Sequence, residues 1–123
     1  MKTLLLTNAK NKNLSIDHLT PEIKEYTAKH NLTIEKIFLM HKYQVPYVNK
    51  KLSKILRHID ESEDSYALID NDMDIYESNF HEDLPLLTKL IKVGKLVLHS
   101  MPLKLIIKQE STKSDLFQWH ILG

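Results

Sequence analysis

The chain has 123 residues, 42% of them hydrophobic, and a formal net charge of +1 at pH 7. This length supplies one hydrophobic core and not two, so we expect a single domain over residues 1–123. The absence of cysteine excludes disulfide scaffolds, thiol nucleophiles and cysteine-based zinc sites. No apolar run reaches the ~20 residues of a membrane-spanning helix, and we expect a cytoplasmic protein without membrane contact.

The first half of the chain alternates strand and helix patterns. The apolar run Leu4-Leu5-Leu6 predicts a buried first strand. Thr20 followed by Pro21 is typical of a helix N-terminus, and this helix should end near His30. Residues 32–40 predict a second strand. A second helix is indicated by four apolar residues at i, i+3, i+4 and i+7: Leu52, Ile55, Leu56 and Ile59.

The second half continues the alternation. Gly94 is placed to end a helix that tolerates Pro85 only in its first turn. Because strands and helices alternate, we predict an α/β fold of three layers, with a mainly parallel five-stranded sheet and helices on both faces. The predicted elements are a strand at 66–69, a helix at 80–93, strands at 96–98 and 103–107, and the start of a helix at 115–122.

Charge is distributed unevenly along the chain. Residues 1–57 carry 11 Lys and Arg against 4 Asp and Glu, whereas residues 58–88 carry 10 acids and no Lys or Arg. An acidic segment repels phosphates wherever it faces them, so a nucleic-acid surface would have to come from the first part. Four basic residues of the second helix are the candidate nucleic-acid contacts, with an ordinary solvated face as the alternative: Lys50, Lys51, Lys54 and Arg57.

The acidic stretch after the third strand suggests one metal site. Alternating acids at the carboxyl end of a strand can hold Mg²⁺ for phosphate chemistry, and here they are Asp70, Asp72 and Asp74. A magnesium-dependent phosphoryl-transfer domain is therefore one hypothesis, and a solvated acidic loop is the other. The seven histidines show no zinc-binding spacing, so we expect no bound cofactor.

The layout as a whole resembles the catalytic domain of serine recombinases, the resolvase and invertase family. The similarity comes from the stretch from Tyr66 to Asp74, the helix end at Val93-Gly94, the strand 95–100 and the ending 111–123. It implies a resolvase-like fold whose chain stops where the family's long dimerisation helix begins. It also implies two partners: DNA, through a C-terminal module beyond this segment, and a second copy, through the C-terminal segment.

The family's catalytic residues are missing from the matching positions. In that family a serine attacks a DNA phosphodiester while arginines neutralise the developing charge. A Tyr-x-Arg-x-Ser pattern, an acid and an Asp-Arg-x-x-Arg pattern fall here on Leu6, Asn8, Lys10, Met40, Asp74, Ile75 and Ser78. Only the aspartate is retained, and the whole chain has one arginine, Arg57. Lysine supplies charge but not the bidentate fork of a guanidinium.

The resemblance therefore predicts a degenerate relative without catalytic residues. Its role would lie in protein association or in the regulation of DNA transactions. The alternative is a working site-specific recombinase with a displaced nucleophile, for which Ser15 and Thr7 are the candidates.

Overall fold

The computed structural model describes residues 1–11, 13–40, 45–71 and 80–111, with side chains omitted at 8, 9, 40, 45–51 and 80–82. The predicted helix at 115–122 lies outside these residues. A short 3-10 helix, Ala9–Asn11, follows the first strand. The strands and α-helices are, in chain order, β1 (Lys2–Asn8), α1 (Pro21–Lys29), β2 (Ile34–Met40), α2 (Val45–Glu61), β3 (Tyr66–Asp70), α3 (Phe80–Lys92), β4 (Leu96–Ser100) and β5 (Leu105–Ile107).

The five strands form one sheet in the order β2-β1-β3-β4-β5. Neighbours among β1 to β4 are parallel, whereas β5 is antiparallel to β4. The sheet is therefore mixed, and the prediction of a mainly parallel sheet was wrong. The physical reason is the connection between β4 and β5: residues 101–104 are enough for a turn but too few for a parallel crossover, which needs a dozen or more residues.

Alternate residues of β1 divide the core into two parts. Leu4 and Leu6 pack with apolar residues of α2 and α3, whereas Leu5 packs with Ile23 of α1. Because successive strand residues point to opposite faces, α1 lies on one face of the sheet and the other two helices on the opposite face. The predicted stripe of α2 is confirmed, since Leu52, Ile55, Leu56 and Ile59 are all buried in the larger core.

The helix ends follow the sequence signals closely. Thr20 caps α1 by accepting a hydrogen bond from the backbone N–H of Ile23 at 3.4 Å, and Pro21 occupies the first turn. Gly94 has φ +78°, a left-handed conformation that commonly ends helices and that glycine adopts more easily than any other residue.

The position of Pro85 differs from the prediction, because Pro85 lies in the interior of α3, which begins at Phe80. The helix continues through it with the loss of one backbone donor.

Lys95 ties the end of α2 to the start of β4. Its ammonium donates to the backbone carbonyls of Ile59, Asp60 and Ser62 at 3.3, 2.7 and 2.5 Å. The last carbonyls of a helix lack intrahelical partners, and a cation there also opposes the negative end of the helix dipole. This contact therefore places the C-terminus of α2 at the amino edge of the sheet.

Replacing Lys95 with methionine is expected to lower the free energy of unfolding by about 1–2 kcal/mol, because the side chain keeps its apolar stem and loses the charge-assisted hydrogen bonds. Urea unfolding followed by circular dichroism measures the change. Lys92→Met is the control, since Lys92 is exposed at the end of α3 and its replacement should cost less than ~0.5 kcal/mol. Equal effects of the two substitutions would contradict the capping role.

Candidate functional site

The direction of the crossovers reverses between β1 and β3. From β1 the chain passes through α1 outward to β2, and then returns through α2 to the other side of β1, where it forms β3. Open α/β sheets bind ligands at such a reversal, beyond the carboxyl ends of the strands. We call residues 7–11 and 70–71, which lie there, the switch-point edge.

A hydroxyl and two amides fill the centre of the switch-point edge. The fully buried Thr7 accepts hydrogen bonds at Oγ1 from the Nδ2 groups of Asn11 and Asn71, at 2.9 and 3.1 Å. The backbone N–H of Asn71 donates to the carbonyl of Leu6 at 3.0 Å. This network joins the segment after β1 to the end of β3, and its members are uncharged.

Two threonines of β1 provide a matched test of this network. Thr7→Val is expected to destabilise the fold by about 1–2 kcal/mol, because two amide donors lose their acceptor. Thr3 is equally buried, but its hydroxyl oxygen has no hydrogen-bond partner among the described residues. Thr3→Val should therefore change the free energy of unfolding by less than ~0.5 kcal/mol or increase it. Chemical denaturation measures the free energy of unfolding of both variants. A larger loss of stability for Thr3→Val than for Thr7→Val would refute the hydrogen-bonding role of Thr7.

Four of the positions aligned with the recombinase site lie at or beside this edge. Leu6 is fully buried beneath α2 and α3, so its side chain lies on the face of the sheet opposite α1. Asn8 and Met40 are register partners at the carboxyl ends of β1 and β2. Lys10 is exposed in the 3-10 helix. The remaining three, Asp74, Ile75 and Ser78, lie outside the described residues.

A cleft of about 350 Å³ opens beside Lys10, between the segment after β1 and the N-terminus of α1. His18 lies in its wall, and its Nδ1 is 3.2 Å from the exposed Oγ of Ser15. A serine next to an imidazole is the beginning of a nucleophile–base arrangement. Within the described part of the chain, however, no carboxylate is hydrogen-bonded to His18 to orient it as a base. Thr7, the other candidate nucleophile, is buried in the amide network.

Of the three aspartates in the metal hypothesis, the structure describes only Asp70. Asp70 is fully buried at the end of β3, where its register partners are Leu6 and Ser100. Asp72 and Asp74 lie outside the described residues. Across the described ranges, no group of three His, Asp or Glu side chains is arranged to hold a metal ion.

The basic residues of α2 lie on its outward side where their side chains are described. Lys54 and Arg57 are exposed and three residues apart, so they share one side of the helix. Lys50 and Lys51 belong to the same helix, but their side chains are outside the described set. Arg57 lies two residues before Ile59, whose carbonyl Lys95 binds at the amino edge of the sheet. The only guanidinium of the chain therefore lies toward the end opposite the switch-point edge.

An aromatic cluster lies on the α1 face, between α1 and β4. The ring centroids of Tyr26, His30 and His99 are 4.3 to 5.6 Å apart. Tyr26 Oη and His99 Nδ1 form a 2.6 Å hydrogen bond. Burial, with a smaller contribution from His30, lowers the pKa of His99 to about 4, and burial raises the pKa of Tyr26. His99 is therefore neutral at pH 7.

No family model, curated protein or solved structure matches the chain. Within the described ranges, none of the helices has the length and apolar character needed to cross a membrane.

The aromatic cluster and the amide network were not predicted from the sequence. Tyr26 and His30 have helical i, i+4 spacing, which is the one local signal. His99 lies on a different element, 73 residues from Tyr26, and Asn71 is 64 residues from Thr7. Such contacts depend on the order of strands in the sheet. Hydrophobic periodicity predicts the strands themselves but not that order.

Proposed function

We propose that this chain is a non-catalytic, serine-recombinase-like domain that acts through protein association in the regulation of DNA transactions. It would be the degenerate form of a resolvase-like fold and would act in the cytoplasm. The observation that carries the proposal is the location of Arg57, the only arginine, near the amino edge of the sheet.

The chemistry of phosphodiester cleavage explains why this location matters. Attack by a serine places extra negative charge on the phosphoryl oxygens, and preorganised cations must lie within hydrogen-bond distance as that charge develops. Arg57 is 12 residues from the start of α2 at Val45, a rise of about 18 Å along the helix. The switch-point edge instead holds the neutral network of Thr7, Asn11 and Asn71 and the buried side chain of Asp70, none of which supplies a cation. Lys10 contributes a single exposed charge there.

The layout of the chain gives further support for the family assignment. The third strand, the helix closed by Gly94 and the strand that follows it occur where the resemblance requires them. The fold has one five-stranded sheet, with α1 on one face and α2 and α3 on the other.

Association can be tested with an active serine recombinase and its crossover-site DNA. The purified chain is mixed with that enzyme, and analytical ultracentrifugation measures complex formation while a gel assay measures the rate of DNA cleavage. We expect a homomeric or mixed complex and a changed cleavage rate that depends on the concentration of this chain. A chain that stays monomeric and leaves the cleavage rate unchanged would refute the associating role.

A working recombinase with a displaced nucleophile is the second candidate, favoured by the 3.2 Å contact between Ser15 and His18. It requires cleavage of crossover-site DNA by this chain and its loss in Ser15→Ala. Cleavage that persists in Ser15→Ala would exclude Ser15, and the absence of cleavage in both proteins would exclude this candidate.

Lys54 and Arg57 are the described members of the proposed DNA-contacting face. Contacts of this kind are sequence-independent and weaken steeply with salt, because binding releases counterions from the phosphates. This chain should therefore bind duplex DNA weakly at low salt, and replacement of both residues by glutamine should weaken the binding further.

A further inference from the structure

A second cleft, of about 430 Å³, lies on the α1 face and shares no lining residue with the cleft beside Lys10. One wall is formed by α1 and its C-cap, and the other by the β4–β5 turn and β5. Its size is within the range of pockets that hold small ligands. Met101 and Ile106 supply an apolar surface, and the rings of Tyr26 and His30 lie in the opposite wall.

The rings of Tyr26 and His30 are stacked on each other, and this pair, called the platform below, offers an outer face to a planar ligand. Their centroids are 4.3 Å apart with a 38° angle between the ring planes, and Tyr26 is held by its hydrogen bond to His99, which is only 5% exposed. Because the anchor is buried, the tyrosine cannot turn away without breaking that bond. Tyrosine and histidine rings are common stacking partners of nucleobases.

The charges around the platform have both signs. Glu22 and Glu25 supply carboxylates, and Lys29 and Lys104 supply ammonium groups. Among the described residues, none of these four side chains forms an ion pair or hydrogen bond with another. A polyanion would be repelled by the carboxylates, whereas a ligand with one anionic group and several N–H donors can use both signs.

We propose that this cleft binds a nucleoside monophosphate whose base carries amino and imino donors, as guanine does. The base stacks on the outer face of the Tyr26–His30 pair and donates to a carboxylate of Glu22 or Glu25, while the phosphate contacts Lys29 or Lys104. The same chemistry is presented by a free nucleotide and by the terminal nucleotide of a single strand. The proposal does not depend on the recombinase resemblance.

The test uses the full chain and four probes: guanosine 5′-monophosphate, guanosine, inorganic phosphate, and a short 5′-phosphorylated single strand beginning with dG. Amide chemical shifts are followed by NMR during each titration. We expect saturable shifts at His30, Met101 and Lys104 with the monophosphate, and weaker binding of guanosine. Shifts at the same amides with the single strand, at lower concentration, would assign the site to strand ends; their absence would assign it to the free nucleotide.

Surface substitutions that leave the core untouched provide the controls. Lys29→Gln and Lys104→Gln should together weaken monophosphate binding about tenfold or more, since the double variant removes both ammonium groups that can form a charge-assisted contact with the phosphate. Lys92→Gln removes an exposed lysine of α3, on the opposite face, and should leave the affinity unchanged. The proposal is overturned if no saturable shift occurs, if phosphate alone reproduces the shifts at equal concentration, or if the double variant binds the monophosphate as tightly as Lys92→Gln does.

Discussion

Replacing Leu68 with alanine is expected to cost about 4–5 kcal/mol of unfolding free energy, at the upper end of such substitutions. Leu68 is fully buried on the central strand, β3. Its register partners are Leu4 on β1 and Leu98 on β4, so the three leucines form a row across the sheet beneath α2 and α3. Parallel strands bonded on both sides cannot move inward to fill the space, and most of the cavity should remain.

Urea or guanidinium unfolding at neutral pH measures this loss. Val93→Ala is the matched control, because Val93 follows α3, is 58% exposed, and should lose less than ~0.5 kcal/mol on truncation. A cost below about 1 kcal/mol for Leu68→Ala would mean that α2 and α3 do not seal this face of the sheet as described.

Acidification from pH 6.5 to 4 is expected to remove about 3 kcal/mol of stability through His99 alone. The folded-state pKa of His99 is lowered to about 4 from 6.5, first by burial and then by His30. Above pH 6.5 the imidazole is neutral in both states, and its contribution is complete. Between pH 6.5 and 4 only the unfolded chain binds the proton, so stability falls as the pH falls, and the loss is complete below pH 4.

Two measurements separate this effect from the titration of carboxylates in the same range. NMR of the histidine ring protons reads the pKa of His99 directly. Denaturant unfolding from pH 7 to 4.5 is then compared with His99→Gln, whose amide can still bond Tyr26 but does not titrate. The variant should show the shallower dependence on pH. Parallel slopes, or a His99 pKa near 6.5, would contradict the buried neutral imidazole.

Local elements were predictable because their signals are local. The Thr20 cap, Gly94 and the apolar stripe of α2 each depend on residues within two turns of one another, and all three predictions are confirmed. The antiparallel β5 was missed because an apolar run predicts a strand without giving its direction. Only the short connection after Ser100 fixes that direction.

The candidate site was less accessible from the sequence. The missing arginines could be counted, but the distance between Arg57 and the switch-point edge follows from the path of α2, which Lys95 anchors from another element. The bonds of Thr7 to Asn71 and of Tyr26 to His99 join residues brought together by strand order. Neither pair has a spacing along the chain that indicates contact, so these residues could not be singled out before the strand order was known.

Covalent trapping tests most directly the proposal that this chain does not catalyse DNA strand transfer. The purified chain and its Lys10→Ser variant, which restores a hydroxyl at the aligned position, are incubated with nicked crossover-site DNA that traps a serine-linked intermediate. An active serine recombinase serves as the positive control, and denaturing gels with mass spectrometry detect any adduct. We predict no adduct for either protein, because one hydroxyl without converging guanidinium groups does not stabilise the transition state. An adduct at Ser15 or at any other residue of the unmodified chain would contradict the account.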